Sequence, residues 1–412
     1  MNSSMAINGV SFGAKINTIP KLSKMAKKEI GLTDVKMEGY TAFIGGDVYT
    51  PNDKIMKADL LFKDKKLVAI NDFDEHKVGQ NINYVLLEDE TIAPAILDEH
   101  IHGGYGIDFH TSSEDEMRGL LKRFKEIGIG GVVATTLPGT IEHIKGQIQR
   151  ISRIMQRPDP DAAKLYGIHL EGPFLSPKKA GIHPPEILIN PTVENYLSMN
   201  PENVRIVTFA PERDGGKELA KYLHDNGVIA SAGHSAATAE QTNVEGITQV
   251  THVFNAMAPF HHRDLTIANE ALWNDALSVE MNSDTSLLNP KTMDIIMRAK
   301  PKSKVILISD ALPQAGKKED FIMNGVKINV HDDWTAISDD GILAGAMQFL
   351  PNYAKHLIES TRMKFQDFIR FSSANPSRNL GVQKEFSLSE GLSPNFTVWN
   401  NKTVLPEKTF IN

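Results

Sequence analysis

Six side chains of the types that bind divalent metal ions are dispersed along the chain, each at the end of a short apolar run. They are His100, His102, Glu171, His234, His252 and Asp310. Imidazole and carboxylate groups together suit Zn, Fe or Mn, and thiolate ligation is excluded because the chain has no cysteine. A bound ion of this kind brings the pKa of a water from about 15.7 to about 7 and polarises carbonyl groups. The set therefore predicts a metal-dependent hydrolase.

The pair His100 and His102 is spaced for joint ligation. In a strand, residues two apart point to the same side, so both imidazoles can face one ion. A single His-x-His pair is a weak signal, and a lone histidine after a strand is more often a hydrogen-bonded structural residue. Glu171 or Asp310 alone is also compatible with a capping role. The occurrence of the whole set at strand ends favours the metal site.

The elements that would hold these residues alternate between strands and helices. Short apolar runs bounded by Gly or Pro predict strands buried on both faces, at Ile92 to Leu97, Leu165 to Leu170, Val228 to Ala232, before Thr251, and at Val305 to Ser309. Helix-length stretches lie between them, at Glu114 to Ile127, Ile141 to Met155, Glu212 to Asn226 and Pro290 to Ala299. This alternation predicts an α/β fold, a closed (β/α)8 barrel with its reactive groups at the carboxyl ends of the strands.

Both chain ends predict a smaller β domain. Tyr40 to Val85 alternates apolar and polar residues between turn signals, which predicts several antiparallel strands, and Phe386 to Phe410 reads similarly. We expect an extension at 1–37, a first β part at 38–94, the barrel at 95–384 and a second β part at 385–412. Within the extension, Pro20 to Ile30 carries four lysines on a predicted short surface helix.

Composition and charge fit a soluble enzyme. The 412 residues, 41% of them hydrophobic, suffice for a barrel and a second domain. A formal net charge of -7 without a long basic run argues against nucleic acid as a partner. Neither a leader segment nor a bilayer-spanning stretch is predicted, so we expect no membrane partner and a cytoplasmic location.

The motifs around the metal-seeking residues resemble those of the N-acetylglucosamine-6-phosphate deacetylase family, in the amidohydrolase superfamily. The resemblance runs from about Tyr40 to the C-terminus. It is carried by His100 to Gly106, His169 to Phe174, Ala232 to Ser235, His252 with Phe254 to Met257, and Ser309 to Ala311. It implies an enzyme of amino-sugar metabolism, in which both chain ends join into one discontinuous β-sandwich beside the barrel.

The resemblance also implies a role for each matched residue. Glu171, His234 and His252 would hold the main ion. His100 and His102 allow a second ion that shares Glu171, so one or two ions are expected per subunit, Zn before Fe or Mn. Asp310 matches the catalytic aspartate and His183 the histidine beside the acetyl group. The substrate-contacting positions are Ile182, His183, Asn255, Ala256, Arg263, Leu343, Ala344 and Gly345. Arg263 would reach a phosphate in the neighbouring subunit, which implies a homodimer.

Two departures from the family concern the phosphate end of the site. Leu287 stands where the family has a phosphate-contacting histidine, and Asp264-Leu265 follows Arg263 where Pro-Gly is usual. Losing such a hydrogen bond costs about 1.5 to 3 kcal/mol, enough to change a substrate preference. We expect hydrolysis of N-acetylglucosamine 6-phosphate. The alternatives are a related amidohydrolase acting on N-acetylgalactosamine 6-phosphate, an unphosphorylated N-acyl sugar or another amide, and a catalytically silent sugar-binding protein. The intact metal set speaks against the last.

Overall fold

The computed structural model describes residues 26–71 and 81–412, and its largest sheet is a parallel barrel. Its strands lie side by side in chain order and are numbered here as barrel strands 1 to 8: Ile96–Ile101, Ile129–Thr136, Lys164–Glu171, Val204–Phe209, Ile229–Ala232, Ile247–Val250, Ser278–Asn282 and Val305–Ile308. Strands 1 and 8 are joined just beyond strand 8, where Asp310 N donates to His100 O at 2.9 Å and His102 N donates to Ala311 O at 2.9 Å. The predicted barrel is confirmed.

Helices cover the outside of the barrel. They span Glu114–Glu126, Ile141–Gln156, Val193–Ser198, Gly216–Asp225, Ala239–Thr242, Ile267–Trp273, Pro290–Ala299, Leu350–Ser360, Phe365–Ile369 and Asn375–Asn379, with a π-helical turn at Arg370–Ala374. Short 3₁₀ turns occur at Leu32–Asp34, Pro177–Lys179, Pro185–Ile187, Lys302–Lys304 and Gln383–Phe386. In the described part of the chain, none of these helices is long and apolar enough to cross a bilayer.

The first of these helices illustrates how the sequence sets its limits. Ser113 accepts a hydrogen bond from Glu116 N at 3.3 Å, and Glu116 accepts one from Ser113 N at 2.8 Å. This capping box stabilises the helix start by about 1 kcal/mol. Met117, Leu120 and Phe124 recur at helical spacing and are fully buried against the barrel. The predicted helix at Glu212 begins later, at Gly216, because the intervening residues form a turn.

A β-sandwich joins the two chain ends. One sheet has the order Ala26–Glu29, Asn81–Leu86, Tyr40–Ile44, Leu60–Lys63 and Lys66–Ile70, and the facing sheet has the order Leu405–Phe410, Phe396–Asn400, Glu90–Pro94, Asp47–Tyr49 and Ile55–Lys57. Phe43 and Phe62 from the first sheet pack against Phe396 of the second, with ring centroids 5.7 and 5.1 Å apart. The expected discontinuous sandwich is confirmed, with mixed rather than purely antiparallel pairing, since Tyr40–Ile44 runs parallel to Asn81–Leu86.

Two local predictions were wrong. The run from Ile92 to Leu97 is not one strand, because the chain passes at Ala95 from the sandwich sheet into barrel strand 1. The predicted helix at Pro20 to Ile30 is a strand over Ala26–Glu29, where the backbone pairs in parallel with Asn81–Leu86. Its residues 20–25 lie outside the described part of the chain.

Two small sheets stand at the carboxyl ends of the barrel strands. A hairpin pairs Gly103–Gly104 with Ile107–Asp108 directly after His102. A three-stranded antiparallel sheet consists of Phe321–Met323, Val326–Val330 and Ala336–Ser338. Met323 and Ile328 of this sheet pack on Leu312, next to the end of barrel strand 8. This sheet therefore forms one wall above the barrel mouth.

Candidate functional site

The barrel brings all six predicted metal-seeking residues to one end. His100 lies within barrel strand 1 and Glu171 is the last residue of strand 3, so these two belong to the strands rather than following them. The other members follow strand ends, His102 after strand 1 and His234, His252 and Asp310 after strands 5, 6 and 8. Because the strands are parallel, their carboxyl ends meet at the same mouth of the barrel.

The Glu171 carboxylate lies at the centre of four imidazoles. Its Oε1 atom is 3.0 Å from His252 Nε2, 3.2 Å from His234 Nε2 and 3.4 Å from His100 Nε2. Its Oε2 atom is 3.2 Å from His102 Nε2. Glu171 and all four histidines are buried. The two oxygen atoms of one carboxylate thus face the ring nitrogens of four histidines.

The ring nitrogens are arranged as those of metal ligands. His234 Nε2 and His252 Nε2 are 3.1 Å apart, close to the separation of about 3.3 Å for two nitrogens bound to one tetrahedral Zn ion. His234 Nδ1 donates to the Lys179 carbonyl at 3.0 Å, which leaves the Nε2 lone pair for a cation. His100 Nε2 is buried and has no hydrogen-bond partner within the described chain. The donor set therefore fits a divalent ion.

The electrostatics of the cluster also favour a cation. Burial lowers the pKa of His100, but Glu171, Glu280 and Asp310 outweigh burial and hold that pKa well above its usual range. For Glu171, burial raises the pKa, and the surrounding histidines, His100 first, reverse the shift and hold it well below its usual range. The negative potential that attracts a proton to these imidazoles attracts a divalent cation in the same way.

Three of the six metal-seeking residues have a left-handed backbone conformation. His234, His252 and Asp310 have φ angles of +46°, +26° and +53°, each two residues past the end of its strand. Such conformations are uncommon outside glycine and cluster at functional sites. This shared turn directs the three side chains inward from the strand ends.

Asp310 and His183 lie beside the cluster. Asp310 Oδ1 is 3.4 Å from His102 Nε2 and 3.5 Å from His100 Nε2. His183 Nε2 is 4.0 Å from Glu171 Oε2, and burial, then His234, lower the His183 pKa to about 3. His183 is therefore neutral at physiological pH.

A cavity of about 240 Å³ opens above Glu171 and Asp310. Seven of the eight predicted substrate-contacting residues line it, namely Ile182, His183, Asn255, Ala256, Leu343, Ala344 and Gly345. The buried Asn255 Nδ2 has no hydrogen-bond partner among the described residues, so it is free to donate to a ligand. The structure does not bring Arg263 into this cavity; Arg263 is exposed on the loop that precedes helix Ile267–Trp273.

Part of the cavity wall is apolar. Leu287 lines it together with Leu312, Met323, Ile342 and Leu343, and none of its described lining residues is a lysine or arginine. The loop that carries Leu287 is held in place, because Asp284 accepts hydrogen bonds from Tyr353 Oη at 2.7 Å and Ser286 N at 2.8 Å. The described lining thus supplies hydrogen-bonding groups but neither a lysine nor an arginine to a substrate phosphate.

The sequence reasoning missed the polar residues beneath the cluster. Glu280 in barrel strand 7 bonds to His100 Nδ1 at 3.0 Å, and Asn282 donates to Asp310 Oδ2 at 3.3 Å. His169 in strand 3 lies between Glu99 O and Thr208 Oγ1. The available signal was a carboxylate, Glu280, between the apolar residues Val279 and Met281, since buried charges are rare without partners.

A parallel barrel with histidines and carboxylates at its mouth has the arrangement of a metal-dependent hydrolase. The chain is 34% identical over 307 residues to N-acetylglucosamine-6-phosphate deacetylase of Bacillus subtilis, covering 71% of this chain and 76% of that protein. It is 28% identical to N-acetylgalactosamine-6-phosphate deacetylase of Escherichia coli O157:H7, covering 71% and 79%. The chain belongs to the N-acetylglucosamine-6-phosphate deacetylase family.

Structural comparison shows the same fold in a solved protein. The fold matches a variant of N-acetyl-D-glucosamine-6-phosphate deacetylase from Mycobacterium smegmatis, solved in complex with N-acetyl-D-glucosamine-6-phosphate. The TM-score is 0.81 at 24% identity, covering 90% of this chain and 97% of that one. No protein-family model matches the chain.

Proposed function

We propose that this enzyme hydrolyses the acetamide of N-acetylglucosamine 6-phosphate to glucosamine 6-phosphate and acetate. The observation that carries the proposal is the convergence of four imidazole Nε2 atoms on Glu171 beneath a cavity that also exposes Asp310 and His183. A binding protein has no need of such a cluster beside a carboxylate, Asp310, that can accept a proton. A catalytically silent role is therefore disfavoured.

The metal site is proposed to hold up to two Zn ions. Glu171, His234 and His252 would hold the main ion, and His100 and His102, sharing Glu171, would hold a second. A divalent ion there would act as a Lewis acid that activates water and polarises the amide carbonyl. Fe and Mn accept the same ligands, so Zn is the first metal to test.

Asp310 and His183 are proposed to handle the proton and the growing negative charge. Asp310 can accept a proton from the attacking water and deliver it to the departing nitrogen, acting first as base and then as acid. His183 is neutral and can donate a hydrogen bond to the carbonyl oxygen as charge develops there. The amine leaves protonated, so acetate and the amino sugar are released.

Substrate recognition is proposed to involve a second subunit. Asn255 can donate to the sugar, and the backbone beside Ile182, Ala256 and Ala344 lines the same cavity. Arg263 does not line its own cavity, and Phe260, Leu265 and Trp273, in the adjoining loop and helix, are 55%, 54% and 84% exposed. These exposed apolar side chains lie close in sequence to Arg263. Such a surface fits a homodimer in which Arg263 reaches the phosphate bound by the partner subunit.

Leu287 favours one alternative within the same reaction class. Since no lysine or arginine is among the described residues that line the cavity, an unphosphorylated N-acetyl sugar is the second candidate substrate. N-acetylgalactosamine 6-phosphate is the third, because a relative 28% identical to this chain is named for that substrate. The phosphorylated substrates are charged metabolites that do not cross membranes unaided, so we place the enzyme in the cytoplasm.

The test is release of free amine from three sugars by Zn-loaded enzyme: N-acetylglucosamine 6-phosphate, N-acetylgalactosamine 6-phosphate and N-acetylglucosamine. Fastest release from the first, abolished by chelator and restored by Zn, supports the proposal. Faster release from either of the others overturns the proposed substrate and keeps the reaction. Release unaffected by chelator overturns the proposed metal site.

A further inference from the structure

Glu280 connects two of the proposed ligands from below. It lies in barrel strand 7 and is fully buried. Its Oε2 atom accepts a hydrogen bond from His100 Nδ1 at 3.0 Å and another from the backbone N–H of His252 at 3.1 Å. One oxygen atom of Glu280 therefore contacts one proposed ligand of each ion, through the ring of His100 and the backbone of His252.

The buried side-chain amide of Gln249 holds the Glu280 carboxylate in place. Gln249 Nε2 donates to Glu280 Oε1 at 2.8 Å and to Glu99 Oε1 at 3.0 Å. Gln249 Oε1 accepts from Asn379 Nδ2 at 2.8 Å, so the amide of Gln249 is oriented by its partners on both sides. This network runs from helix Asn375–Asn379 to the metal-binding end of the barrel, and the mechanism proposed above does not use it.

We propose that Glu280 is a positioning residue that sets the ion affinity of the whole centre, through the His100 ring and the His252 backbone. The inference rests on the proposed metal site. By accepting from His100 Nδ1, Glu280 leaves the Nε2 lone pair of His100 directed toward Glu171. By accepting from His252 N–H, it stabilises the left-handed turn, at φ +26°, that presents the His252 ring.

An amide cannot replace this carboxylate without a conflict. In a Glu280→Gln variant, the new NH₂ group faces either Gln249 Nε2 or the two donors from His100 and His252. Each orientation sets donor against donor in a buried site, which costs more than the loss of one hydrogen bond. We expect the conflict to be relieved by movement of the His100 and His252 side chains.

The experiment measures ion affinity rather than turnover. Apoprotein prepared with chelator is titrated with Zn²⁺ against a chromophoric competitor, and the visible spectrum is recorded with Co²⁺. Glu280→Gln should raise the Zn²⁺ dissociation constant about 10- to 100-fold and change the Co²⁺ absorption bands. The matched control is Glu270→Gln, another buried glutamate, whose Oε1 accepts from Asn274 at 2.8 Å away from the site. It should leave both readouts as in the wild type.

A second variant tests the same inference if Glu280→Gln does not fold. Gln249→Met removes the donor to Glu280 Oε1 and leaves every proposed ligand in place, so it should also weaken Zn²⁺ binding, to a smaller extent. Folded Glu280→Gln with wild-type affinity and spectrum overturns the inference, as does unchanged affinity in Gln249→Met if Glu280→Gln does not fold. Because the readout is ion affinity, a negative amine-release assay contradicts the proposed substrate and not this inference.

Discussion

The side-chain amide of Asn282 donates a hydrogen bond to Asp310 Oδ2 at 3.3 Å, across the ends of barrel strands 7 and 8. The other carboxylate oxygen, Oδ1, faces the His100 and His102 rings at 3.5 and 3.4 Å. One oxygen of Asp310 is thus anchored to the barrel while the other faces the proposed metal centre and the cavity. This arrangement suits a group that must move a proton without changing its position.

Replacing this carboxylate should stop catalysis without emptying the centre. Asp310→Asn retains the shape of the side chain but cannot accept a proton, so kcat should fall about 100- to 10,000-fold. Bound Zn, measured by elemental analysis after gel filtration, should stay close to the wild-type content because the four imidazoles and Glu171 remain. The exposed Asp225→Asn is the control and should keep full activity. Near-normal turnover in Asp310→Asn would exclude it as the acid and base.

His183 should contribute to kcat more than to KM. If it donates to the carbonyl oxygen as charge grows, its removal is felt in the transition state. His183→Ala should lower kcat about 100- to 1,000-fold with a much smaller change in KM. The measurement is steady-state amine release at varied substrate concentration, beside the exposed His224→Ala. A rise in KM alone would show that His183 only binds substrate.

Leu287 should set the preference between phosphorylated and neutral sugars. Leu287→His places a hydrogen-bonding ring on the rigid loop fixed by Asp284 and Tyr353. A hydrogen bond to a charged phosphate contributes about 1.5 to 3 kcal/mol, so the kcat/KM ratio of phosphorylated to unphosphorylated substrate should rise about 10-fold or more. Leu197→His, at an exposed leucine outside the cavity, should leave the ratio unchanged. An unchanged ratio in Leu287→His would place the phosphate elsewhere.

A buried histidine outside the cluster should make stability depend on pH. Burial, then His143 at a ring distance of 4.4 Å, lowers the pKa of His110 to about 4, against about 6.5 when unfolded. Between these values the unfolded chain binds more protons. This contribution to the free energy of unfolding is therefore fully present above about pH 6.5 and decreases toward pH 4, by about 3 kcal/mol at most.

Removing the His110 imidazole should make the free energy of unfolding depend less on pH. Chelator-treated His110→Gln should lose less stability between pH 7 and pH 5 than the wild type, measured by urea unfolding at each pH. The exposed His224→Gln serves as control and should follow the wild-type curve. Parallel curves for His110→Gln and the wild type would contradict the shifted titration of His110.

The barrel and the site were largely predictable because both depend on local pattern. Apolar runs separated by helix-length stretches define parallel strands, and the carboxyl ends of such strands must meet. His100 with His102, Glu171, His234, His252 and Asp310 could therefore be grouped although they span more than half the chain. The period of two in a strand also explains why the histidine pair points to one side.

Contacts between distant segments could not be read in this way. Whether Ile92 to Leu97 stays in one sheet depends on which strands lie beside it, and the sandwich pairs Glu90–Pro94 with Phe396–Asn400 from the far end of the chain. Likewise, Ala26–Glu29 carries lysines suited to a surface helix, yet its backbone pairs with Asn81–Leu86. Tertiary pairing overrides local propensity when a sheet edge offers backbone hydrogen bonds.

The sequence by itself determined the fold class, the types of the proposed ligands and the side of the barrel on which they stand. Only the tertiary structure decided that Glu280 and Gln249 underlie those ligands, that His234, His252 and Asp310 reach them through left-handed turns, and that Arg263 lies away from its own cavity. The physical reason is range: periodicity and turn chemistry act over a few residues, whereas hydrogen bonds among buried side chains join residues that only the closed barrel brings together.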